Sequence, residues 1–454
     1  MTNKKAEIAS GTATPSSTTE TMESNALFTR REMVGITGIA GLAALTDMAT
    51  GAVSQAATRP RIACLVSYWG ATRSHADWII NKLIDGYWWN NAYTPSRIDV
   101  ASIYLHQHDE SLLGQKVAKA KGIPIFKTVA EALMLGGEEL AVDGVVIVGE
   151  HGNYPTDLKG HWLLPRWWLY NQMIRVFERS KRSVPVFNDK HFSYSWDETK
   201  WMFDKSRELN FPITGGSCIP VYYRSPEIEF DIDTPIKNSI VVGGASDEGG
   251  IFHCFDLLQS FVERRKGGET GVKAVQSIRG PETWKWVESN PWAGRLLDSV
   301  AKSLELQPGS FRENDRASLC IVEYNDGTKA AVISGRGVSW TYAGEIEGRN
   351  KPTIVSMLGF PGPFDQYHAC NALPHWIVEM MLTKKEPFNA ERLLLSSGIT
   401  NYYMQSNWEN GRFSPVGRRI ETPFMNISYR STRGALFSKG ERPPSRPYIR
   451  GFDD

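Results

Sequence analysis

From Arg61 onward, apolar runs of strand length alternate with stretches of helical periodicity. "RIACLVSYW" (61–69) is a continuous apolar run, the pattern of a parallel strand buried on both faces. An amphipathic helix is predicted from about His75 to Asp85, then a strand in "RIDVASIYL" and a helix in "SLLGQKVAKAKG" closed by Gly122. "PIFK" reads as a short strand and "TVAEALML" as a helix with Thr128 as its N-cap. "VDGVVIVGE" is a fourth buried strand and "PRWWLYNQMIRVFERSK" a helix. "VPVFND" is a fifth strand, "SWDETKWMFDKSRELN" a helix capped by Ser195, and "PITGGS" a sixth strand. Strands separated by short helices imply right-handed crossovers and an α/β, doubly wound parallel sheet.

After about residue 222 the texture changes. "SIVVGGA", "VKAVQSI", "ASLCIVEYNDGTKAAVISG", "VSWTYAGEI" and "TIVSMLG" are β-rich, with "NDG" at 325–327 as a hairpin turn. A helix in "FDLLQSFVERRKGG" precedes most of them, and helical stretches follow near 372–383 and 390–406. The expected organisation is a Rossmann-like nucleotide-binding domain over 58–222, then an α+β domain with an open-faced antiparallel sheet over 223–454. The chain has no internal repeat.

Residues 1–57 stand apart. The first 25 are rich in Thr, Ser, Ala and Glu, a composition that does not build a core. Arg30-Arg31, a Gly/Ala-rich apolar stretch and a small-residue end near Ala56 read as a twin-arginine-type signal. Export of the folded protein, to a periplasm or its equivalent, is therefore expected. The apolar run is too short for a spanning helix, so no stable membrane insertion is expected once the signal is removed.

Composition narrows the partners. A net charge of +1 gives no reason to invoke nucleic acid. Five scattered cysteines contain no C-x-x-C pair, which excludes zinc ribbons and argues against a disulfide framework. Fifteen tryptophans, some in "GYWWNNAY" and "RWWLY", tilt the reading toward carbohydrate, because indoles stack on sugar faces.

The order of elements, with "VPVFNDKHFS", "GGIFHCFDLL" and "KKEPFNAERLLLSSGI", resembles the Gfo/Idh/MocA oxidoreductases from about Arg61 to Tyr429. Asp189, Lys190 and His191 stand where that family carries a Glu-Lys-Pro motif, and His253 and Asp256 where it carries Gly-x-His-x-x-Asp. The resemblance implies a sugar or polyol substrate, a tightly held NAD or NADP, and a homo-oligomer formed through the open sheet face. It further implies that Lys190 orients and polarises the hydroxyl, His253 acts as acid/base, and Asp256 orients His253. Hydride leaves carbon only as the hydroxyl proton is taken, and an imidazole suits that exchange.

The nucleotide turn departs from the pattern. Where G-x-G-x-x-G serves a tight turn and close approach to a pyrophosphate, this chain has Ser67, Trp69 and Thr72, with Gly70 as the one matching glycine. His106 stands where an acidic residue would hold the ribose. The implied cofactor contacts are thus Ser67, Trp69, Gly70, Thr72, His106, Glu150 and Asp189. An indole directed into the turn would fill the diphosphate volume.

Two other readings stay open. Glu150, His151, Asp189, His191, His106 and His108 end three strands, which allows non-redox acid/base or metal-assisted lyase, hydrolase or isomerase chemistry on a carbohydrate. Their spacing matches no metal motif, and no metal is expected. A periplasmic carbohydrate-binding protein without catalysis is the third.

Overall fold

A computed structural model describes residues 58–70, 74–307, 309–334, 339–357, 370–409 and 414–440. The twin-arginine-type segment and Thr72 lie outside the described residues. The first half runs β1 (Arg61–Val66), α1 (His75–Asp85), β2 (Gly86–Trp89), β3 (Ala92–Pro95), β4 (Asp99–Leu105), α2 (Leu112–Lys121), β5 (Ile125–Phe126), α3 (Val129–Met134), β6 (Gly144–Val148), α4 (Arg166–Ser180), β7 (Val186–Asp189), α5 (Trp196–Glu208) and β8 (Ile213–Gly216). Six of these strands form one parallel sheet, in the order β5-β4-β1-β6-β7-β8. Reading outward from β1 in both directions, the chain reverses its winding between β1 and β6. That is the switch point at which doubly wound sheets bind ligands.

Local chemistry explains the boundaries. Every residue of β6 is buried, as its unbroken apolar run requires. Thr128 caps α3 through a reciprocal box: its hydroxyl accepts from the Glu131 amide at 3.1 Å, and the Glu131 carboxylate accepts from the Thr128 amide at 3.0 Å. The β2–β3 hairpin, absent from the expected elements, turns on Asn90 and Asn91, both with positive φ (47° and 64°). Asparagine tolerates that region, so two successive asparagines suit a two-residue hairpin loop.

The second half comprises β9 (Arg224–Ser225), β10 (Ile236–Val242), α6 (Glu248–Val262), β11 (Val272–Arg279), α7 (Pro281–Ser289), α8 (Pro291–Ser303), β12 (Ser318–Tyr324), β13 (Lys329–Ile333), β14 (Thr341–Ile346), β15 (Thr353–Met357), α9 (Ala372–Thr383), α10 (Ala390–Glu409) and β16 (Ile420–Glu421). Its strands form an eight-stranded sheet, β16-β11-β12-β13-β10-β14-β15-β9. The sheet is antiparallel except where β10 runs parallel to β13. The α6 and α10 helices pack on one face, and α10 also reaches α5 and β8 of the first sheet. The opposite face carries α7 and α8, which bury Trp284, Val287, Leu296, Leu297 and Val300 against Ile240, Val242, Leu319 and Ile333. The family resemblance implies an open surface for oligomerisation on that face.

Trp69 settles in this framework as a core residue. It is fully buried, its amide donates to Ser111 Oγ at 3.1 Å, and its carbonyl accepts from the Gly114 amide at 3.1 Å. A methyl group added at Gly114 would stand 2.9 Å from Trp69 Cβ, so glycine there lets α2 close onto the indole. The ring therefore points under the turn, toward α2, and not into the mouth of the sheet. Trp69→Ala is expected to cost about 3–5 kcal/mol, the range for an emptied aromatic site. The measurement is the urea midpoint at an unchanged m-value; a loss below about 1 kcal/mol would contradict this packing.

Candidate functional site

Parallel register brings the C-terminal ends of the strands to one edge: Val66 pairs with Leu105 and Val148, and Asp189 with Gly216. Beyond those ends stand Ser67, His106, Glu150, Lys190 and Ser217. The first turns of α1 and α6 face the same edge. Between them lies a cavity of about 440 Å³ lined by His75, Trp78, Glu150, His151, Trp162, Lys190, Cys218, Asp247, Gly249, Gly250, His253, Trp340 and Cys370. The size suits a small molecule.

Lys190 and His253 meet on its wall. Lys190 has φ +63°, a left-handed conformation that costs a non-glycine residue about 1–3 kcal/mol. It is held there by its amide, which donates to the Gly216 carbonyl at 3.2 Å. Lys190 Nζ lies 2.8 Å from His253 Nε2 and donates to the Gly249 carbonyl at 3.1 Å. An ammonium only donates, so His253 Nε2 accepts and its proton sits on Nδ1, which donates to Ser217 Oγ at 2.5 Å. Burial and the Lys190 charge hold His253 well below the ordinary histidine value, so it is neutral. Two of the three Lys190 N–H groups are engaged, which leaves one for a ligand in the cavity.

Asp256 does not orient His253. Its carboxylate accepts from the Ser217 amide at 2.7 Å, and it acts on the imidazole only through Ser217. Gly216, at φ +107°, is required beside it, because a Cβ there would stand 2.6 Å from Asp256 Oδ2. Burial raises Asp256 to about 6.

Beneath the cavity runs a buried charged network. Arg166 pairs with Glu150 and donates toward His191 Nε2 at 3.1 Å. His191 Nε2 also lies 3.2 Å from Glu248, which accepts from His161 Nδ1 at 2.7 Å and from the Trp162 amide at 2.9 Å. Burial alone would raise Glu150, but the charges of Arg166, Lys190, His75 and His151 outweigh it and hold the carboxyl well below its usual range. On the other flank, His75 Nδ1 is 2.7 Å from Asp189 Oδ2. Burial opposes the charge on His75, yet the charge and hydrogen bond of Asp189 prevail and raise it. His151, in contrast, is lowered to about 3 by burial and by His75.

The expected cofactor contacts are mostly spent within the protein. The Ser67 hydroxyl faces the carbonyls of Glu150 at 2.9 Å and His151 at 3.1 Å. The Tyr68 ring lies over Gly70, its hydroxyl 1.8 Å from where a Cβ would be. His106 Nδ1 is 2.8 Å from Tyr154 Oη, Asp189 is taken by His75, and Trp69 is in the core. Gln107 and Asn153 exchange two hydrogen bonds at 2.9 Å, and Tyr154 reaches the Ser67 carbonyl at 3.3 Å. Residues 150–154 thus close the crevice between β4, β1 and β6. A dinucleotide laid across this turn in the usual way does not fit while that segment is in place. Of the seven expected contacts, Glu150 alone is among the described residues lining the cavity.

The six strand-end groups that could have suited a metal do not converge. His108 pairs with exposed Asp109, His106 with Tyr154 and Asp189 with His75, Glu150 and His191 share Arg166, and His151 Nδ1 has no hydrogen-bond partner among the described residues. Among the described residues, no group of three or more His, Cys, Asp or Glu could hold a metal ion. No described helix is long and apolar enough to cross a membrane. Sequence reasoning missed His75, Arg166, Ser217 and Glu248. The "RSH" before α1 was the one visible hint, since a polar triplet there opens a helix at the sheet edge.

No protein-family model matches the sequence, and comparison with curated proteins finds no match. Among solved structures, the chain is similar to GenD2 from gentamicin A biosynthesis in complex with NAD, at 12% identity and a TM-score of 0.49, covering 80% of this chain and 96% of that one. It is also similar to a myo-inositol dehydrogenase from Corynebacterium glutamicum (12% identity, TM-score 0.47, 80% and 99% coverage). A third is myo-inositol 2-dehydrogenase from Lactobacillus plantarum (11% identity, TM-score 0.46, 77% and 97% coverage).

The His75–Asp189 pair makes a pH-dependent prediction. A histidine whose folded-state value is raised contributes stability that is fully present below about pH 6.5 and is lost as pH rises through the folded value. The stability gap between wild type and Asp189→Asn should therefore narrow from acidic to alkaline pH. In NMR titration, the His75 midpoint should fall in Asp189→Asn. A gap that widens with pH would contradict the assignment.

Proposed function

We propose that this protein is an oxidoreductase acting on a hydroxyl of a sugar or polyol held in the cavity, with Lys190 and His253 handling the proton. The observation that carries the reading is the 2.8 Å Lys190–His253 contact on the wall of a cavity bearing three indoles, Trp78, Trp162 and Trp340. The indoles offer flat apolar faces to a sugar ring, and Glu150 and Asp247 offer acceptors to its hydroxyls.

The remaining N–H of Lys190 would donate to the substrate oxygen and lower its affinity for the proton. Once Lys190 Nζ has passed a proton to His253 Nε2, rotation about its Cε–Nζ bond would turn the freed lone pair toward the substrate, where it takes the hydroxyl proton. Return follows the reverse path. Ser217 Oγ, which accepts from Nδ1, holds the imidazole in the tautomer this exchange needs. A nicotinamide dinucleotide would supply the hydride acceptor, and its diphosphate half would seat only with residues 152–154 displaced. Twin-arginine export forms part of the proposal and is checked by fractionating cells that express the full chain.

The closed crevice favours a second reading, acid/base chemistry without redox on the same substrate class. Native mass spectrometry of full-length protein purified without added nucleotide separates the two. The oxidoreductase reading expects bound NAD or NADP, or saturable binding on titration. Turnover of a polyol with no nucleotide bound at any concentration would overturn it in favour of the second.

Lys190→Met should lower kcat about 10²- to 10⁴-fold, the usual share of a positioned acid/base group, with KM little changed. Trp162→Ala should instead raise KM. If the 152–154 segment must move, Tyr154→Phe removes hydrogen bonds that hold it closed and should tighten nucleotide binding by about two- to tenfold. Weaker binding in Tyr154→Phe would mean that the segment does not gate the groove.

A further inference from the structure

Two of the residues lining the cavity are thiols that the proposed chemistry does not use. Cys218 follows Ser217 at the end of β8, and Cys370 precedes Asn371, the N-cap of α9. Both are buried, at 6% and 3% exposure, yet both face the cavity. Their side chains interact electrostatically with each other. The other three cysteines, Cys64, Cys254 and Cys320, are fully buried and do not line it.

We propose that Cys218 and Cys370 form a thiol–disulfide exchange site in the cavity wall, which takes small disulfides as its oxidant and closes to an intramolecular disulfide.

The pair is chemically divided. The Cys218 side chain, the Lys82 ammonium and His75 pull Cys370 below the ordinary thiol value despite burial. The Cys370 side chain, together with burial, pushes Cys218 well above it. The start of a helix further favours a thiolate at Cys370. Cys370 is thus the attacking sulfur and Cys218 the resolving one. Burial raises Cys64, Cys254 and Cys320, which leaves them protonated.

The balance is that of ordinary exchange. The Cys370 thiolate attacks one sulfur of a low-molecular-weight disulfide such as oxidised glutathione, forming a mixed disulfide and expelling one glutathione thiolate. Cys218 then attacks the Cys370 sulfur, forming the Cys218–Cys370 bond and expelling the second glutathione. The Cys218 proton passes to a departing thiolate. The protein loses two hydrogens, and one oxidised glutathione becomes two reduced. The bridge would tie the start of α9 to the turn carrying Ser217, the hydrogen-bond partner of His253.

The test uses the full native chain, reduced, desalted and exposed to oxidised glutathione near neutral pH. Intact mass and non-reducing peptide mapping are read over time. The expected result is a loss of two hydrogens, a peptide joining Cys218 to Cys370, and free thiols at Cys64, Cys254 and Cys320. In Cys218→Ser the reaction should stop at a glutathione adduct on Cys370. In Cys370→Ser, Cys218 should react at least about tenfold more slowly than Cys370 does. Five unreacted thiols in the folded wild-type chain would overturn the proposal, as would adducts spread evenly over all five. Because the wild-type chain carries the main readout, misfolding of a variant does not rescue a negative result. No nucleotide or sugar enters the assay, so its outcome is separate from that of the oxidoreductase reading.

Discussion

A guanidinium and a carboxylate taken out of water together cost several kcal/mol per ion unless every remaining donor and lone pair finds a partner. Arg166 and Glu150, each almost wholly buried, impose that demand on the floor of the cavity. The partners come from distant parts of the chain and meet the demand only in part, since Arg166 Nε and His191 Nδ1 have no hydrogen-bond partner among the described residues. Arg166 comes from the first position of α4, Glu150 from the end of β6, His191 from the end of β7, and Glu248 from the start of α6. Once these are joined, the two sheets cannot shift against each other without stranding a charge. The Lys190–His253 contact depends on that alignment, because Lys190 belongs to the first sheet and His253 to α6. A 2.8 Å bond between side chains 63 positions apart is held by the floor beneath it, as preorganisation at a catalytic edge requires.

The turn after β1 shows how a doubly wound sheet can keep its topology after losing its glycines. A pyrophosphate normally lies on bare backbone there. In this chain Trp69 turns under the strand to fill core against Gly114, Tyr68 covers Gly70, and Ser67 bonds to the carbonyls beyond β6. Each change converts an open, ligand-ready surface into one satisfied by the protein. Among the described residues, the Ser67 amide and hydroxyl and the Trp69 amide are already paired within the protein.

Much of this fold was legible because it is local. The apolar runs of β1 and β6, the Thr128 capping box and the Gly122 stop need only neighbours in sequence. The Lys190 and His253 positions were legible by resemblance alone. What escaped is long-range. The direction of the Trp69 indole depends on a glycine in the next helix, and no periodicity carries that. Asp256 lies one turn from His253, which suggests a direct bond. The bond goes instead to a Ser217 amide supplied by a different strand. The α7–α8 pair on the outer sheet face was not expected, since the strand pattern on either side read as one continuous sheet. The cysteine spacing argues against a disulfide framework, yet Cys218 and Cys370, 152 positions apart, share a wall.

The closed crevice and the cavity floor belong to one segment, but their energetic weights differ. The floor part, at Glu150, is locked by a buried ion pair whose rupture costs about 3–5 kcal/mol. The crevice part, Gly152 to Tyr154, is held by the Gln107–Asn153 exchange and by Tyr154, all at exposed or half-buried positions. Such bonds contribute about 0.5–1.5 kcal/mol each, because water replaces them when they open. Gly152, at φ +118°, separates the two parts and can absorb the backbone change. Displacing the crevice part therefore costs a few kcal/mol and leaves Glu150 in place. A ligand whose intrinsic affinity for the opened groove is micromolar brings about 8 kcal/mol, more than that cost. Ser67 is the part that does not yield cheaply, since its hydroxyl is buried among carbonyls.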